Sequence, residues 1–278
     1  MLIDTHAHLN FNSFKKDWKE IVQKCLGNNT WVINVGSNLA NSQRAVEIAD
    51  NSPYGIFAAI GLHPINLDTG LVKIKIDPQE GSYLEKEFDY EKYKKLAQCK
   101  RVVALGEAGF DYYWRPKTTK KKKIFKEKQK ELLQKELTLA KKLNLPVIFH
   151  CRMAHRDLIE FLSKNPEVRP KKAVAHGFVG NLTELQKYLD FDFYIGFNGI
   201  IFKKIEDICF EENIKKTPLE RILIETDCPY LAPPGFPEER NNPLGVKLVA
   251  ERIAQIKNTN LEKVAEITTK NAKTLFKL

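Results

Sequence analysis

An α/β fold, a (β/α)8 TIM barrel with its working face at the carboxyl ends of the strands, is predicted by three observations. Eight short apolar runs recur along the 278 residues. Each is followed by a polar or glycine-rich turn and a stretch of helical periodicity. The runs are near-continuously hydrophobic, the pattern of parallel strands covered on their outer face by helices.

The chain justifies each unit in order. LIDTH (2–6) precedes a helix over about 14–26, WVINVG (31–36) one over 40–50, and GIFAAIGL (55–62) one over 88–98. VVALGE (102–107) precedes 120–143, PVIFH (146–150) precedes 156–164, and AVAH (173–176) precedes 181–189. FYIGF (193–197) is followed by 204–213 and ILIETD (222–227) by 244–257, with a further helix near 261–276. In the helix over 120–143, Ile124, Leu132, Leu133, Leu137, Leu139 and Leu143 supply an apolar stripe against a basic remainder, and Asn144 and Pro146 end it. The stretch 68–98 is longer than a connection needs, so KIKID (73–77) and the PQEG after it are expected to make an excursion over one mouth of the barrel. No linker or composition shift divides the chain, which reads as one barrel domain over 1–278.

Composition bounds the function classes. Asp4, His6, His8 and Asn10 interrupt any apolar run at the start before it reaches the length of a secretory h-region, and no stretch has the length and apolarity of a membrane span. The five cysteines are odd in number, scattered and without CxxC spacing, which points away from a disulfide framework or zinc knuckle and towards a cytoplasmic setting. A formal charge of +10 permits a polyanionic partner without establishing one, since a run such as Lys120–Lys123 at a helix start reads first as a solvated face. No obligate protein partner is evident, and a monomer is expected.

Chemistry is concentrated at the strand ends. Of six histidines, His6, His8, His150 and His176 close three of the runs and His63 immediately follows another; Glu107 and Asp227 close two more. In a barrel every parallel strand ends at the same face, so residues distant in sequence converge there. His6 and His8, two apart on one strand, point to one side and can share a cation. A single histidine at a strand end is more often structural than ligating, but coincidence at five strand ends is hard to defend. Six ligands with two carboxylates, one able to bridge, suffice for two divalent cations roughly 3.5 to 4 Å apart, the spacing that stabilises attacking and leaving oxygens together. His155, inside a helix, reads as structural.

HAHLN, GLHP, GEAGFDYYW, FHCR, AHGF and ETDCPYL, in this order and spacing, resemble the TatD family of metal-dependent deoxyribonucleases within the amidohydrolase-type barrels, and the likeness runs from Ile3 to about Lys257. The resemblance implies a first metal on His6, His8 and Asp227, a second on His150 and His176, and Glu107 bridging them. It also implies DNA as the substrate and magnesium, zinc or manganese as the cation. The chain departs from the family at Asn10, where aspartate is common, at HGF (176–178) in place of HCF, and at RNNP (240–243) in place of RNEP. None of these positions alters an expected ligand.

On this footing Asp227 is expected to orient water and accept its proton, with Glu107 also in the catalytic set. His63 and Arg152 are expected to contact the substrate phosphate, an arginine being able to fork onto two oxygens. Glu225, two residues before Asp227, is expected to steady a ligand or water, with a structural ion pair as the alternative, and Asp4, deeper on the first strand, to be structural or to support a ligand from behind. Phe110, Tyr112, Tyr113, Trp114 and Tyr230 are expected mostly to pack. Two rivals stand beside a deoxyribonuclease: a binuclear hydrolase of a small amide or ester, and a catalytically silent barrel that binds nucleic acid. Glu107 in place of a carboxylated lysine disfavours the first, and an intact ligand set disfavours the second.

Overall fold

A computed structural model describes residues 1–75, 77–81 and 83–278; Ile76, within the expected KIKID excursion, and Ser82 lie outside the described residues. Eight parallel strands follow one another in sequence order: β1 (Leu2–Ala7), β2 (Thr30–Val35), β3 (Ile56–Ile60), β4 (Val102–Asp111), β5 (Val147–Arg152), β6 (Ala173–Ala175), β7 (Tyr194–Phe197) and β8 (Ile222–Ile224). The sheet closes on itself where the chain beyond β8 returns alongside β1. Ala7 bridges Cys228 there, the Asp227 amide donates to the His6 carbonyl at 2.8 Å, and the His8 amide donates to the Cys228 carbonyl at 3.0 Å. Asp4 reinforces the seam by accepting from the Thr226 amide at 2.9 Å and the Thr226 hydroxyl at 2.6 Å, which is structural work. The (β/α)8 expectation holds strand for strand.

Around the sheet lie α1 (Trp18–Gly27), α2 (Leu39–Asp50), α3 (Tyr90–Leu96), α4 (Thr119–Leu143), α5 (His155–Lys164), α6 (Leu182–Asp190), α7 (Phe210–Lys216), α8 (Val246–Ile256) and α9 (Leu261–Phe276). Strand side chains, among them Ile3, Ile33, Phe57, Val103, Ile148 and Leu223, fill the barrel interior together with Ala272, Leu275 and Phe276 of α9. Helix α9 also bonds to the ends where strands begin, through Thr269 to the Met1 carbonyl and Asn271 to the Ile222 carbonyl. The barrel is therefore plugged at its amino-terminal end and open at the other.

Two irregularities aim the chemistry inward. Ile3 faces the interior and Ala7, of the same parity, faces the helices, because the β1–β2 register shifts between Asp4 and Ala7. The β4–β5 register shifts likewise between Leu105 and Ala108: Ala104 lies in the interior, whereas Ala108 and Phe110 pack outward. Bulges change the face a side chain occupies, and these two turn His6, His8, Glu107 and Asp111 toward the lumen. Gly109 permits the extension of β4: its φ is +149°, and a Cβ there would stand 2.0 Å from the His150 carbonyl oxygen of the paired strand.

The element limits bring corrections. Ile124 is 41% exposed; the buried stripe of α4 runs through Phe125, Gln129, Leu132, Leu133, Glu136, Leu137 and Ala140. Sequence periodicity hides it because two of its members are polar. The helix expected over 204–213 begins only at Phe210, since Ile205 and Ile208 form a small bridge with Asp207 in the left-handed region. The first helix starts at Trp18, preceded by a 3-10 turn at Asn12–Phe14. Helix α4 ends at Asn144 in the left-handed conformation, as expected. All five cysteines are free thiols, and among the described residues no helix is long and apolar enough to cross a membrane.

The buried polar groups of α4 hold strand ends. Gln129 accepts from the Asp111 amide and donates to its carbonyl, both at 3.0 Å, while Glu136 accepts from the Leu62 amide at 2.9 Å. Replacing Gln129 by Leu strands both backbone groups of Asp111 out of water. We expect a loss of about 2 to 6 kcal/mol, from roughly 1 to 3 for each of the two unsatisfied buried groups, read as a lower midpoint in urea unfolding at unchanged slope.

Candidate metal centre

Glu107 is the hub. Its Oε2 lies 3.3 Å from His6 Nε2 and 3.9 Å from His8 Nε2; its Oε1 lies 2.7 Å from His150 Nδ1, 3.6 Å from His63 Nε2 and 3.7 Å from His176 Nε2. Asp227 faces the same space, with Oδ1 3.3 Å from His8 Nε2, 3.9 Å from His6 Nε2 and 4.0 Å from His176 Nε2. All six expected ligands thus converge. The donor atoms form three triads, each within 4.8 Å: His6, His8 and Glu107; His6, His176 and Asp227; and His63, Glu107 and His150. The grouping differs from the expected one in that His176, stacked on His6 with ring centroids 3.5 Å apart, joins the first half, while His63 stands beside Glu107 and His150.

Hydrogen bonds on the outer side of each ring decide what its inner nitrogen offers. His8 Nδ1 lies 2.8 Å from the Val35 carbonyl, to which it can only donate, so Nε2 presents a lone pair to the site. His176 Nδ1 lies 2.9 Å from a Glu225 carboxylate oxygen, so in the neutral form of the ring the lone pair is likewise on Nε2. His63 is the reverse. Its Nδ1 accepts from the Ile65 amide at 3.0 Å, which puts the proton of the neutral ring on Nε2 and makes it a donor toward the cleft. His150 is held at Nε2 by Asp111, 3.0 Å away, leaving Nδ1 against Glu107. His6 is fully buried, and neither ring nitrogen has a hydrogen-bond partner. A buried imidazole unsatisfied on both nitrogens is costly in a protein interior, and a cation on the face shared with Glu107 answers one of them. The donor set fits a divalent metal.

Electrostatics follow the same geometry. Burial pushes Glu107 and Asp227 up, but the surrounding imidazoles outweigh it and hold both carboxylates below their usual range. Burial lowers His63 to about 3, helped by His150, so it is neutral at physiological pH. His176 is raised to about 10 and His150 to about 9: burial pulls each down, and Glu225 on one and Asp111 with Glu107 on the other more than offset it.

Asp111 is a site residue that the sequence reading misses. Its signal is present, since it lies four residues after Glu107 and shares its parity on β4. A strand taken to end at Glu107 hides it. His155 is structural, bonded to the Tyr188 hydroxyl and the Val179 carbonyl. Asn10 binds the Val35 and Asn41 carbonyls, and Asn242 donates to Glu238 and accepts from the Leu244 amide. Arg152 lies on the wall of a cleft of about 940 Å³ above the centre, its guanidinium 3.7 Å from the Tyr113 ring centroid. The excursion after β3 also lines this cleft, with Ile74, Lys75, Asp77 and Glu80, and the Tyr230 hydroxyl donates to Asp77 at 2.8 Å.

Known proteins share this architecture. The family model for TatD related DNase matches residues 3–277. The chain is 36% identical over 280 residues to the uncharacterized metal-dependent hydrolase YabD of Bacillus subtilis, covering all of both chains. It is 32% identical to the 3'-5' ssDNA/RNA exonuclease TatD of Escherichia fergusonii, over 99% of this chain and 98% of that one. The crystal structure of YJJV, a TatD homolog from Escherichia coli, superposes with a TM-score of 0.81 at 28% identity, over 100% of this chain and 98% of that one. The chain belongs to the TatD family of metal-dependent hydrolases.

Without metal, His150 and His176 carry protons at neutral pH, whereas ligation needs their neutral form. Binding of Mn or Zn at pH 8 should therefore release protons, measured as a dependence of calorimetric heat on buffer ionisation enthalpy. Both folded-state values lie above the unfolded value of about 6.5, so the stabilisation they bring is complete below that pH and is lost as pH rises through about 9 and about 10. The chelated protein should melt at progressively lower temperature from pH 7 to 10.

Proposed function

We propose, from membership of this family, that the chain is a deoxyribonuclease that hydrolyses phosphodiester bonds with two divalent cations bound at the barrel mouth. One observation carries the reading: five imidazoles and Asp227 surround a single buried carboxylate, Glu107, and hydrogen bonds at the outer nitrogens of His8 and His176 prepare the inner ones. The relative from Escherichia fergusonii named as an exonuclease on single-stranded DNA and RNA supports nucleic acid as the substrate.

His6, His8 and Asp227 would hold one cation and His150 and His176 the other, with Glu107 between them. Imidazole-rich sets suit zinc or manganese better than magnesium, which favours oxygen ligands and retains water. Such a pair supplies a nucleophile from water at neutral pH and neutralises charge that builds on the phosphoryl oxygens.

The residues divide the remaining work. Asp227 is the more open of the two carboxylates, 21% exposed at its side chain against 6% for Glu107, and it is ionised, so it accepts the proton of the attacking water as the new P–O bond forms and the scissile P–O bond breaks, the leaving sugar oxygen taking a proton from solvent. His63, neutral with Nε2–H directed into the cleft, donates to a phosphoryl oxygen. Arg152, which also lines the cleft, forks onto the same anion. Glu225 and Asp111 fix the rings of His176 and His150, work that in comparable sites is worth about 10 to 100-fold in metal affinity or activity. We further propose that residues 1–278 act as one domain and as a monomer.

The test is strand cleavage with labelled DNA of each polarity, with Mg, Mn or Zn supplied in turn to chelated protein. Metal-dependent release of nucleotides is expected. Inertness toward every DNA and RNA, with hydrolysis of a small lactone or amide, would transfer the site to the rival reading. Asp227→Asn, assayed at a metal concentration high enough to restore occupancy, should lose about 10²- to 10⁴-fold in kcat; full hydrolysis by that variant would end its assignment as proton acceptor.

A further inference from the structure

Aromatic residues of the β4–α4 segment divide sharply. Phe110 and Tyr112 are buried, as expected of packing residues, but Tyr113 and Trp114 are each 48% exposed and line the cleft with Arg152 and Met153. Their rings meet edge to face at 5.1 Å, and Arg152 covers the Tyr113 face. This surface is fixed to the metal centre through one residue: Asp111 holds His150 Nε2 with Oδ2 and accepts from the Tyr113 amide with Oδ1 at 2.8 Å. The half-exposed rings of Tyr113 and Trp114 thus sit on backbone tied to the centre and leave aromatic surface open to the cleft.

Beginning six residues beyond Trp114, Lys120, Lys121, Lys122 and Lys123 follow Thr119 in the opening turn of helix α4, and Lys117 precedes it. Helices that follow barrel strands begin at the same face as the active site, so this charge lies at the rim. It stands against the helix macrodipole, which favours acids in the first turn, where α4 has none. The ion pairs of α4 begin further along, at Lys126 with Asp157 and Lys130 with Glu127; among the described residues none includes Lys117 or Lys120–Lys123.

Resting on the nuclease reading above, we propose that this rim is the binding track for an unpaired nucleic-acid strand: Tyr113 and Trp114 stack on bases next to the phosphate that Arg152 holds, and the α4 lysines follow the phosphates beyond them. Stacked aromatic faces beside a basic groove are what single strands require, because every unpaired base offers a π-face and paired bases do not. A duplex presents only its backbone to such a surface.

Tyr113→Ala/Trp114→Ala should raise KM for a single-stranded oligonucleotide about tenfold, with a much smaller change in kcat. An abasic site walked along the strand should raise KM for the wild-type protein at one or two positions and have no such effect in the double variant. Replacing Lys120–Lys123 by serine should flatten the salt dependence of KM by up to about three log–log units, roughly 0.7 for each phosphate no longer neutralised. Tyr54→Ala, an exposed aromatic at the opposite end of the barrel, should change neither quantity. If wild-type protein cleaves single strands and the rim variants match it in KM and salt slope, the track is refuted while the nuclease reading stands. If wild-type protein cleaves no nucleic acid under any metal, both fall.

Discussion

A carboxylate buried within β4, with imidazoles on both of its oxygens, is the constraint on which the rest of this barrel depends. An anion taken out of water is costly unless cations or strong donors surround it. Glu107 has five imidazoles within 4 Å, contributed by β1, the turn after β3, β5 and the residue after β6. Eight strands converging on one face make that density possible, and the two register shifts in β1 and β4 turn the side chains toward it. The same arrangement that neutralises Glu107 crowds the donors a metal needs.

Positioning extends outward from this point by successive hydrogen bonds. Val35, Glu225, Asp111 and Ile65 each fix one imidazole, and with it the nitrogen offered to the cleft. Asp111 is in turn held by Gln129 of α4, so a buried polar residue on a long helix sets the position of a strand end, a histidine and the first residue of the rim. Polar groups in a core are stabilising only when their partners are complete, and here the completed network joins packing to chemistry.

Much of this is legible in the sequence. The eight apolar runs mark the strands because parallel strands buried on both faces cannot alternate, and the histidines at their ends mark the mouth because the barrel gathers those ends. What stays hidden depends on local departures from regularity. A bulge carries β4 on to Asp111, so a strand taken to end at Glu107 falls four residues short and leaves the partner of His150 unseen. Gln129 and Glu136 break the apolar rhythm of α4 and move the inferred stripe onto Ile124. The distinction between His63 and His176 lies in which backbone or carboxylate group meets each outer nitrogen, a matter of tertiary contact that spacing along the chain does not encode.

The central claim is that Glu107 stands between two cations at the barrel mouth. Anomalous diffraction from crystals of this chain equilibrated with manganese or zinc tests it most directly. The account predicts two peaks, one on each side of the Glu107 carboxylate, the first against His6, His8 and Asp227 and the second against His150 and His176, with none on His63. A single peak away from Glu107, or a peak ligated by His63 in place of His176, would contradict it.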